Sequence, residues 1–85
     1  MKRASFPTLM EALSATIRAR RESLGLSQED VSFASGLSVR HYQKLEAGDA
    51  VNPSMQNVVS VANALEWEAS QLFARCERLA RKGKA

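Results

Sequence analysis

Residues 25–48, GLSQEDVSFASGLSVRHYQKLEAG, contain the same three-residue phrase twice. The phrase Gly-Leu-Ser occupies residues 25–27 and returns at residues 36–38. In each copy, the glycine can end a helix in the left-handed conformation, and the serine can cap the next helix by accepting a hydrogen bond from a backbone amide. The sequence therefore predicts two short helices, back to back, with only a minimal turn between them.

Residues around both caps support this prediction. Asp30 follows Ser27 by three positions, where a carboxylate can accept a hydrogen bond from the amide of the cap. Leu26 and Leu37 precede the two caps. Each can pack against an apolar residue of the following helix, which fixes the angle at which the chain enters it. Two capped helices joined in this way form a helix-turn-helix motif, here at residues 27–47.

The composition indicates one folded domain over residues 1–85. Hydrophobic residues make up 45% and charged residues 25%, and no apolar run reaches the ~20 residues that cross a bilayer. Cys76 is the only cysteine and His41 the only histidine, so we expect no disulfide, no metal site and a cytoplasmic location. The sequence contains no acid–base pair or activated nucleophile. We therefore expect no enzymatic activity, cofactor, membrane partner or small-molecule ligand.

The rest of the chain predicts three more helices and no strand. Apolar residues at helical spacing place the first helix at about residues 8–24 and the fifth at about residues 68–81. The fourth begins near residue 52, where either Asn52 or Ser54 can be the cap. Trp67 is expected to fill the gap between the fourth and fifth helices. The predicted fold class is all-α, with five helices in one compact domain.

The third predicted helix has two chemically different faces. At about 100° per residue, its inner arc carries Tyr42, Leu45 and Glu46, with His41 at the border. The outer arc carries Val39, Arg40, Gln43 and Lys44. Arginine and lysine can donate to guanine, glutamine can pair with adenine, and valine can contact a thymine methyl group. Ordinary solvent-exposed helices also carry such side chains, so this pattern alone leaves both interpretations open.

Four segments in a fixed order carry a resemblance to a known family. They are IRARRESLGLSQEDV at residues 17–31, GLS at 36–38, LEAG at 45–48 and PS at 53–54. Together they resemble the lambda-repressor-like (Cro/repressor, XRE-type) helix-turn-helix domain over about residues 9–73. The resemblance implies a compact five-helix fold that binds double-stranded DNA. The sequence departs from the family at Val31-Ser32, where leucine and alanine are usual, and in a slightly long loop at residues 48–53.

The resemblance also implies roles for individual residues. Arg21 and Glu46 match a pair that the family tends to bury as a salt bridge between the first and third helices. Further residues, on the second and third helices, would contact DNA. These are Gln28 for a phosphate or the first bases, Ser38 and His41 for the DNA backbone, Val39, Arg40 and Lys44 for base edges, and Gln43 in a supporting position.

The positive charge is concentrated outside the motif. The formal net charge is +3, and basic residues cluster toward both ends of the chain. Phosphates attract cations whatever the base sequence. Any of the flanking residues that contact DNA are therefore expected to bind phosphates, namely Arg18, Arg20, Lys82 and Lys84.

The fifth helix carries an apolar stripe that is longer than one small core needs. It comprises Leu72, Phe73, Cys76, Leu79 and Ala80. Exposed apolar patches tend to be interfaces, so Phe73, Cys76 and Leu79 are predicted to form a homodimer contact. A twofold dimer would place two recognition helices about one DNA turn apart.

The resulting hypothesis is a homodimeric transcriptional regulator on a palindromic operator, able to control its own promoter. Its size resembles both phage Cro-type repressors and the controller proteins of restriction–modification systems, and both stay open, as do activation and repression. The alternative is an antitoxin of the same fold, whose main task is to neutralise a toxin. It ranks second because such antitoxins usually carry an extra segment, and few residues lie outside the predicted helices.

Overall fold

The computed structural model describes residues 5–49 and 53–83. Within these residues the chain forms five α-helices and no strand, which confirms the predicted all-α class. The helices are α1 (Phe6–Ser23), α2 (Gln28–Ser35), α3 (Val39–Ala47), α4 (Met55–Ala64) and α5 (Ala69–Gly83). None of them is long and apolar enough to cross a membrane. The predicted loop at residues 48–53 lies partly outside the described residues.

Serine caps begin the first four helices, at Ser5, Ser27, Ser38 and Ser54. The predicted reciprocal pair is present, because the Asp30 amide donates to Ser27 Oγ over 2.9 Å and the Ser27 amide donates to Asp30 Oδ2 over 2.8 Å. These hydrogen bonds with Ser27 hold the pKa of Asp30 below its usual value. Ser54 accepts from the Asn57 amide at 3.0 Å and is the cap of α4. Asn52, the other candidate, lies outside the described residues.

α3 packs against the core through α1 and α2. α1 contacts both α3 and α5, and α2 packs against α3 and α4. Trp67, 8% exposed, belongs to the core after α4, as predicted. The largest fully buried side chains are Ile17, Val31, Tyr42, Leu45, Val61, Leu65 and Leu72. Every helix supplies at least one of these residues, so the helix-turn-helix shares one core with the other three helices.

The end of α4 places a residue other than glycine in the left-handed region. Glu66 has φ +64°, whereas the corresponding positions after α1 and α3 are Gly25 and Gly48, at +72° and +83°. The amides of Glu66 and Trp67 donate back to carbonyls in the last turn of α4, at 3.0 and 2.9 Å. These are the hydrogen bonds of a Schellman motif, in which glycine is preferred. The motif therefore holds Glu66 in a strained conformation.

Replacing Glu66 by glycine is expected to raise the free energy of unfolding by roughly 0.5–1 kcal/mol. The relief of left-handed strain should exceed the extra freedom that glycine gives the unfolded chain. Asn63→Gly, on the exposed side of the last turn of α4, is the matched control and should lower the stability by about a few tenths of a kcal/mol. Urea unfolding followed by circular dichroism measures both. Destabilisation by Glu66→Gly would contradict the strain argument.

α5 buries a narrower stripe than its sequence predicts. Leu72, Cys76 and Ala80 are 0%, 3% and 4% exposed, whereas Phe73 and Leu79 flank them at 38% and 39%. The prediction that Cys76 belongs to a dimer contact is corrected here, because its side chain lies in the core of its own chain. Burial also raises the pKa of the Cys76 thiol. Cys76 is therefore a packing residue.

Candidate nucleic-acid interface

α3 divides into the two faces that its sequence predicts. Tyr42, Leu45 and Glu46 are 0%, 2% and 4% exposed and face the core. The side chains that point outward are Val39, Arg40, His41, Gln43 and Lys44. The outer face therefore combines hydrogen-bond donors, acceptors and one apolar group along a single short helix.

The buried carboxylate of Glu46 joins three helices. Its two oxygens accept hydrogen bonds from Arg21 Nε and Nη2 (2.7 and 2.9 Å), Tyr42 Oη (2.5 Å) and Gln28 Nε2 (2.8 Å). The predicted ion pair between Arg21 and Glu46 is thus present and bidentate. Burial raises the pKa of Glu46, but the hydrogen bonds from Arg21, Tyr42 and Gln28 outweigh it and hold the pKa below its usual value. This network fixes the orientation of α3 relative to α1 and α2.

Gln28 connects the network to the outer face of α3. Its Nε2 donates to Glu46, and its Oε1 accepts from Gln43 Nε2 at 3.1 Å. Because a primary amide has two N–H donors, Gln28 and Gln43 each keep one N–H that these bonds do not use. The predicted role of Gln28 was a contact with DNA alone, and this internal role was not predicted because nothing in the local sequence pattern indicates a contact between residues 28 and 46.

A second contact holds the carboxyl end of α3 against α1. Ser14 Oγ lies 3.1 Å from the carbonyl of Leu45, to which it can donate, and 3.1 Å from that of Met10. A Cβ atom at Gly48, where the helix ends, would lie only 3.3 Å from Ser14 Oγ. Glycine at this position therefore satisfies both its positive φ and the close approach of α1. Sequence periodicity did not predict the contact.

The cations of α3 are free to meet an external anion. Within residues 5–49 and 53–83, no carboxylate lies within 4 Å of the charged groups of Arg40 or Lys44. The first turn of α3 also contains no acidic residue. The carboxylate of Asp30, in α2, is engaged in the capping hydrogen bond from the Ser27 amide. The outer face of α3 can therefore attract a polyanion and donate several hydrogen bonds to it.

Arg20, one of the basic residues that could have bound a phosphate, makes contacts within the chain instead. Its Nε donates to the carbonyl of Leu65 at 2.9 Å, and its guanidinium lies 4.7 Å from the centre of the Trp67 ring. Arg20 therefore ties α1 to the end of α4. Arg18 and Lys82 are exposed, and their role as phosphate ligands stays a prediction. Lys84 lies outside the described residues.

The two large exposed apolar residues of α5, Phe73 and Leu79, line different grooves. Phe73 lies with Met55 and Leu9 in an apolar groove of about 440 Å³ between α1, α4 and α5. Leu79 lines another groove, of about 320 Å³, together with Arg20 and other residues. The prediction that Phe73 and Leu79 both belong to a dimer contact stays a prediction, and the two residues would reach a partner copy from different sides of α5. No group of acidic, histidine or cysteine side chains among the described residues can hold a metal ion.

Comparison of the sequence with known proteins identifies a family. The sequence profile of the family described as Helix-turn-helix matches residues 17–68. The uncharacterized HTH-type transcriptional regulator y4dL of Sinorhizobium fredii is 36% identical over 58 residues, 68% of this chain and 29% of that protein. The cryptic phage CTXphi transcriptional repressor RstR of Vibrio cholerae is 32% identical over 56 residues, 66% of this chain and 49% of the repressor. The chain thus spans less than half the length of these relatives.

A solved structure agrees with this assignment. The restriction–modification controller protein C.AhdI from Aeromonas hydrophila superimposes with a TM-score of 0.68 at 34% identity, over 75% of this chain and 94% of that one. The family profile covers more than half of the chain and includes α2 and α3 in full. The chain therefore belongs to the helix-turn-helix family, and the two sequence relatives above are named as a transcriptional regulator and a transcriptional repressor.

Proposed function

We propose that the chain acts in the cytoplasm as a homodimer that binds a palindromic operator and regulates transcription, including that of its own gene. The observation that carries the proposal is the outer face of α3, which the Glu46 network holds in one orientation and whose cations Arg40 and Lys44 have no acidic partner within 4 Å among the described residues. The relatives include a phage repressor and a restriction–modification controller. Both kinds of regulator are therefore candidates for the biological role.

In this proposal α3 is the recognition helix and lies in the major groove. Arg40 and Lys44 donate to guanine O6 and N7. Gln43 uses its free N–H and its Oε1 to pair with an adenine, and its bond from Nε2 to Gln28 limits the rotation of the amide. Val39, 36% exposed, contacts a thymine methyl group. Direct readout of both base-pair types is then possible from one turn and a half of helix.

Contacts to the DNA backbone would set the register. Ser38 Oγ accepts from the His41 amide at 3.0 Å and keeps its own hydrogen for a phosphate. His41 is exposed beside it, and the unused N–H of Gln28 can reach a phosphate from the amino end of α2. Helix amino ends favour such anions because their amides and dipoles point outward. These three residues therefore position the helix. The base contacts of Val39, Arg40, Gln43 and Lys44 then select the sequence.

Selection of binding sites from random DNA by the purified protein tests the proposal. We expect a palindrome whose half-site centres lie about 10 bp apart, or a small multiple of one helical turn. A single unpaired half-site would contradict the dimer. Recovery of no preferred sequence, together with copurification of one protein in fixed stoichiometry, would favour the antitoxin alternative.

The variants Arg40→Ala and Lys44→Ala are each expected to weaken specific binding by ~1–3 kcal/mol and to relax the preference at identifiable base positions. Each substitution removes a donor to a base edge and leaves the network of Glu46 untouched. Gel shifts on the selected operator and on its single-base variants measure both effects. Lys82→Ala is the control, because Lys82 is an exposed residue of α5. Any effect it has on binding affinity should be the same for all DNA sequences. Unchanged specificity in both α3 variants would exclude α3 as the recognition helix.

A further inference from the structure

The groove beside Leu79 has a chemistry that DNA binding does not use. It lies between α1 and α5 and has a volume of about 320 Å³. Its walls combine apolar groups with two positive charges, from Ala15, Ala19, Leu79, Trp67, Arg20 and Arg75. Arginine and tryptophan are the residue types that most often dominate the energy of protein interfaces. The groove is therefore a candidate for recognition of a partner.

Two guanidinium groups converge on one indole ring. Arg20 Cζ lies 4.7 Å and Arg75 Cζ 5.1 Å from the centre of the Trp67 ring. Stacking on the ring orients both groups and leaves their edges available, because only Nε of Arg20 is used, by the carbonyl of Leu65. A planar guanidinium with free N–H groups matches the geometry of a carboxylate.

Neither guanidinium is neutralised by its surroundings. Glu66 and Glu68 flank Trp67 in the sequence, yet in the described part of the chain no carboxylate comes within 4 Å of Arg20 or Arg75. Both guanidiniums therefore keep an uncompensated positive charge beside the same ring, and an anion bound to either would neutralise it. The charge of the groove is thus complementary to an acidic ligand.

The groove also faces away from the recognition helix. On α1, Ser14 and Arg21 make hydrogen bonds to α3, whereas Thr16 and Ala19 line the groove. Ser14 and Thr16 differ by about 200° around the helix axis, so the two contacts lie on opposite sides of α1. A ligand in the groove and DNA on α3 can therefore be bound at the same time.

We propose that this groove binds an acidic segment of a partner protein, with its carboxylates paired to Arg20 and Arg75 and a neighbouring apolar side chain against Leu79, Ala15 and Ala19. A small free anion fits less well, because small-molecule sites usually enclose most of their ligand and this groove is open to solvent. A segment of a protein gains the rest of its contacts elsewhere on the surface. The inference goes beyond the proposed function and is independent of which operator is bound.

The test uses the full chain and a labelled synthetic peptide that alternates pairs of glutamate and leucine. Trp67 is the only tryptophan, so its fluorescence reports directly on the groove. We expect saturable binding by anisotropy of the peptide, accompanied by a change in Trp67 emission. Arg75→Gln removes one guanidinium that contacts only the ring, and should weaken the peptide roughly tenfold or more while operator binding is unchanged. Leu79→Glu, which places a carboxylate in the groove, should weaken the peptide similarly.

Arg40→Gln is the matched control, because it removes the same charge from the recognition helix and should leave peptide affinity unchanged. Equal losses in Arg40→Gln and Arg75→Gln would mean general attraction to a basic protein and would overturn the proposal. So would equal binding of a peptide with glutamine in place of glutamate. Inorganic phosphate or free glutamate that displaces the peptide at comparable concentration would show a small-anion site instead.

Discussion

Glu46→Ala is expected to lower the free energy of unfolding by roughly 3–5 kcal/mol, the range for breaking a buried ion pair from one side. The carboxylate is 4% exposed and accepts hydrogen bonds from Arg21, Tyr42 and Gln28. Its removal leaves a guanidinium, a phenol hydroxyl and an amide without their acceptor in a region that little water reaches. For a chain of 85 residues this is a large part of the total stability.

Glu22→Ala is the matched control for this prediction. Glu22 also contacts Arg21, at 4.0 Å, but its side chain is 64% exposed. Surface ion pairs contribute about 0–1 kcal/mol, so this variant should unfold almost like the parent protein. Urea unfolding followed by Trp67 fluorescence and circular dichroism compares the two. Similar losses in Glu46→Ala and Glu22→Ala would show that the burial of Glu46 is unimportant for stability.

Acid unfolding gives a second readout of the same network. The pKa of Glu46 is lowered by folding, so its contribution to stability is fully present above the pKa of the unfolded chain, near 4.5, and is lost as the pH falls toward the folded value. Asp30, whose pKa is lowered by its hydrogen bonds with Ser27, acts in the same direction. In Glu46→Gln, less stability should be lost as the pH is lowered from 4.5 than in the parent protein. Of the two carboxylates whose pKa folding lowers, only Asp30 remains to be protonated.

The parts of the fold that the sequence predicted depend on local chemistry. Ser27 and Ser38 cap helices through amides three residues away, so their role is readable from spacing alone. The inner face of α3 was readable for a similar reason, because Tyr42, Leu45 and Glu46 share one arc of a short helix. The pairing of Arg21 with Glu46 required a resemblance to a family, since the two residues are distant in the chain.

What the sequence did not predict depends on neighbours in space. As an arginine in a basic flank, Arg20 could have been a phosphate ligand. Only the positions of Leu65 and Trp67 in space show that it is a structural residue. In α5, the spacing of apolar residues in the sequence defines a stripe along the helix. It does not indicate which residues of the stripe are buried most deeply. Packing against α1 and α4 decides that Cys76 is buried and that Phe73 and Leu79 lie on opposite flanks of the helix.

The two flanks of α5 differ in their suitability for self-association. On the side of Phe73, the groove is lined mainly by apolar side chains, with Glu77 as its one charged residue among those described, and it extends to Met55, which is 65% exposed. On the side of Leu79, the groove is lined by two positively charged side chains, Arg20 and Arg75. A twofold axis on that side would bring like charges from two copies together, which opposes association. We therefore propose the flank of Phe73 and Met55 as the dimer contact.

Phe73→Glu is accordingly expected to convert the dimer to a monomer and to reduce affinity for the full palindrome by roughly 100-fold or more, because association would bury an unpaired carboxylate among apolar groups. The fold should persist, since Phe73 is 38% exposed and the buried residues of α5 are unchanged. Each monomer keeps its recognition helix, so weak binding to a half-site should remain. Sedimentation gives the oligomeric state, and gel shifts on whole and half operators give the affinity.

Leu79→Glu separates this prediction from a general effect of charge on α5. Leu79 lies on the same helix, has a matching exposure of 39% and receives the same substitution, but it lines the groove of Arg20 and Arg75. Its new carboxylate would lie beside positive charge and outside the proposed contact, so the variant should remain dimeric and bind the palindrome normally. If Leu79→Glu dissociated while Phe73→Glu stayed dimeric, the contact would lie on the arginine flank despite its charge. In that case bound anions would have to bridge the two copies, and the groove would belong to the dimer contact instead of to a partner protein.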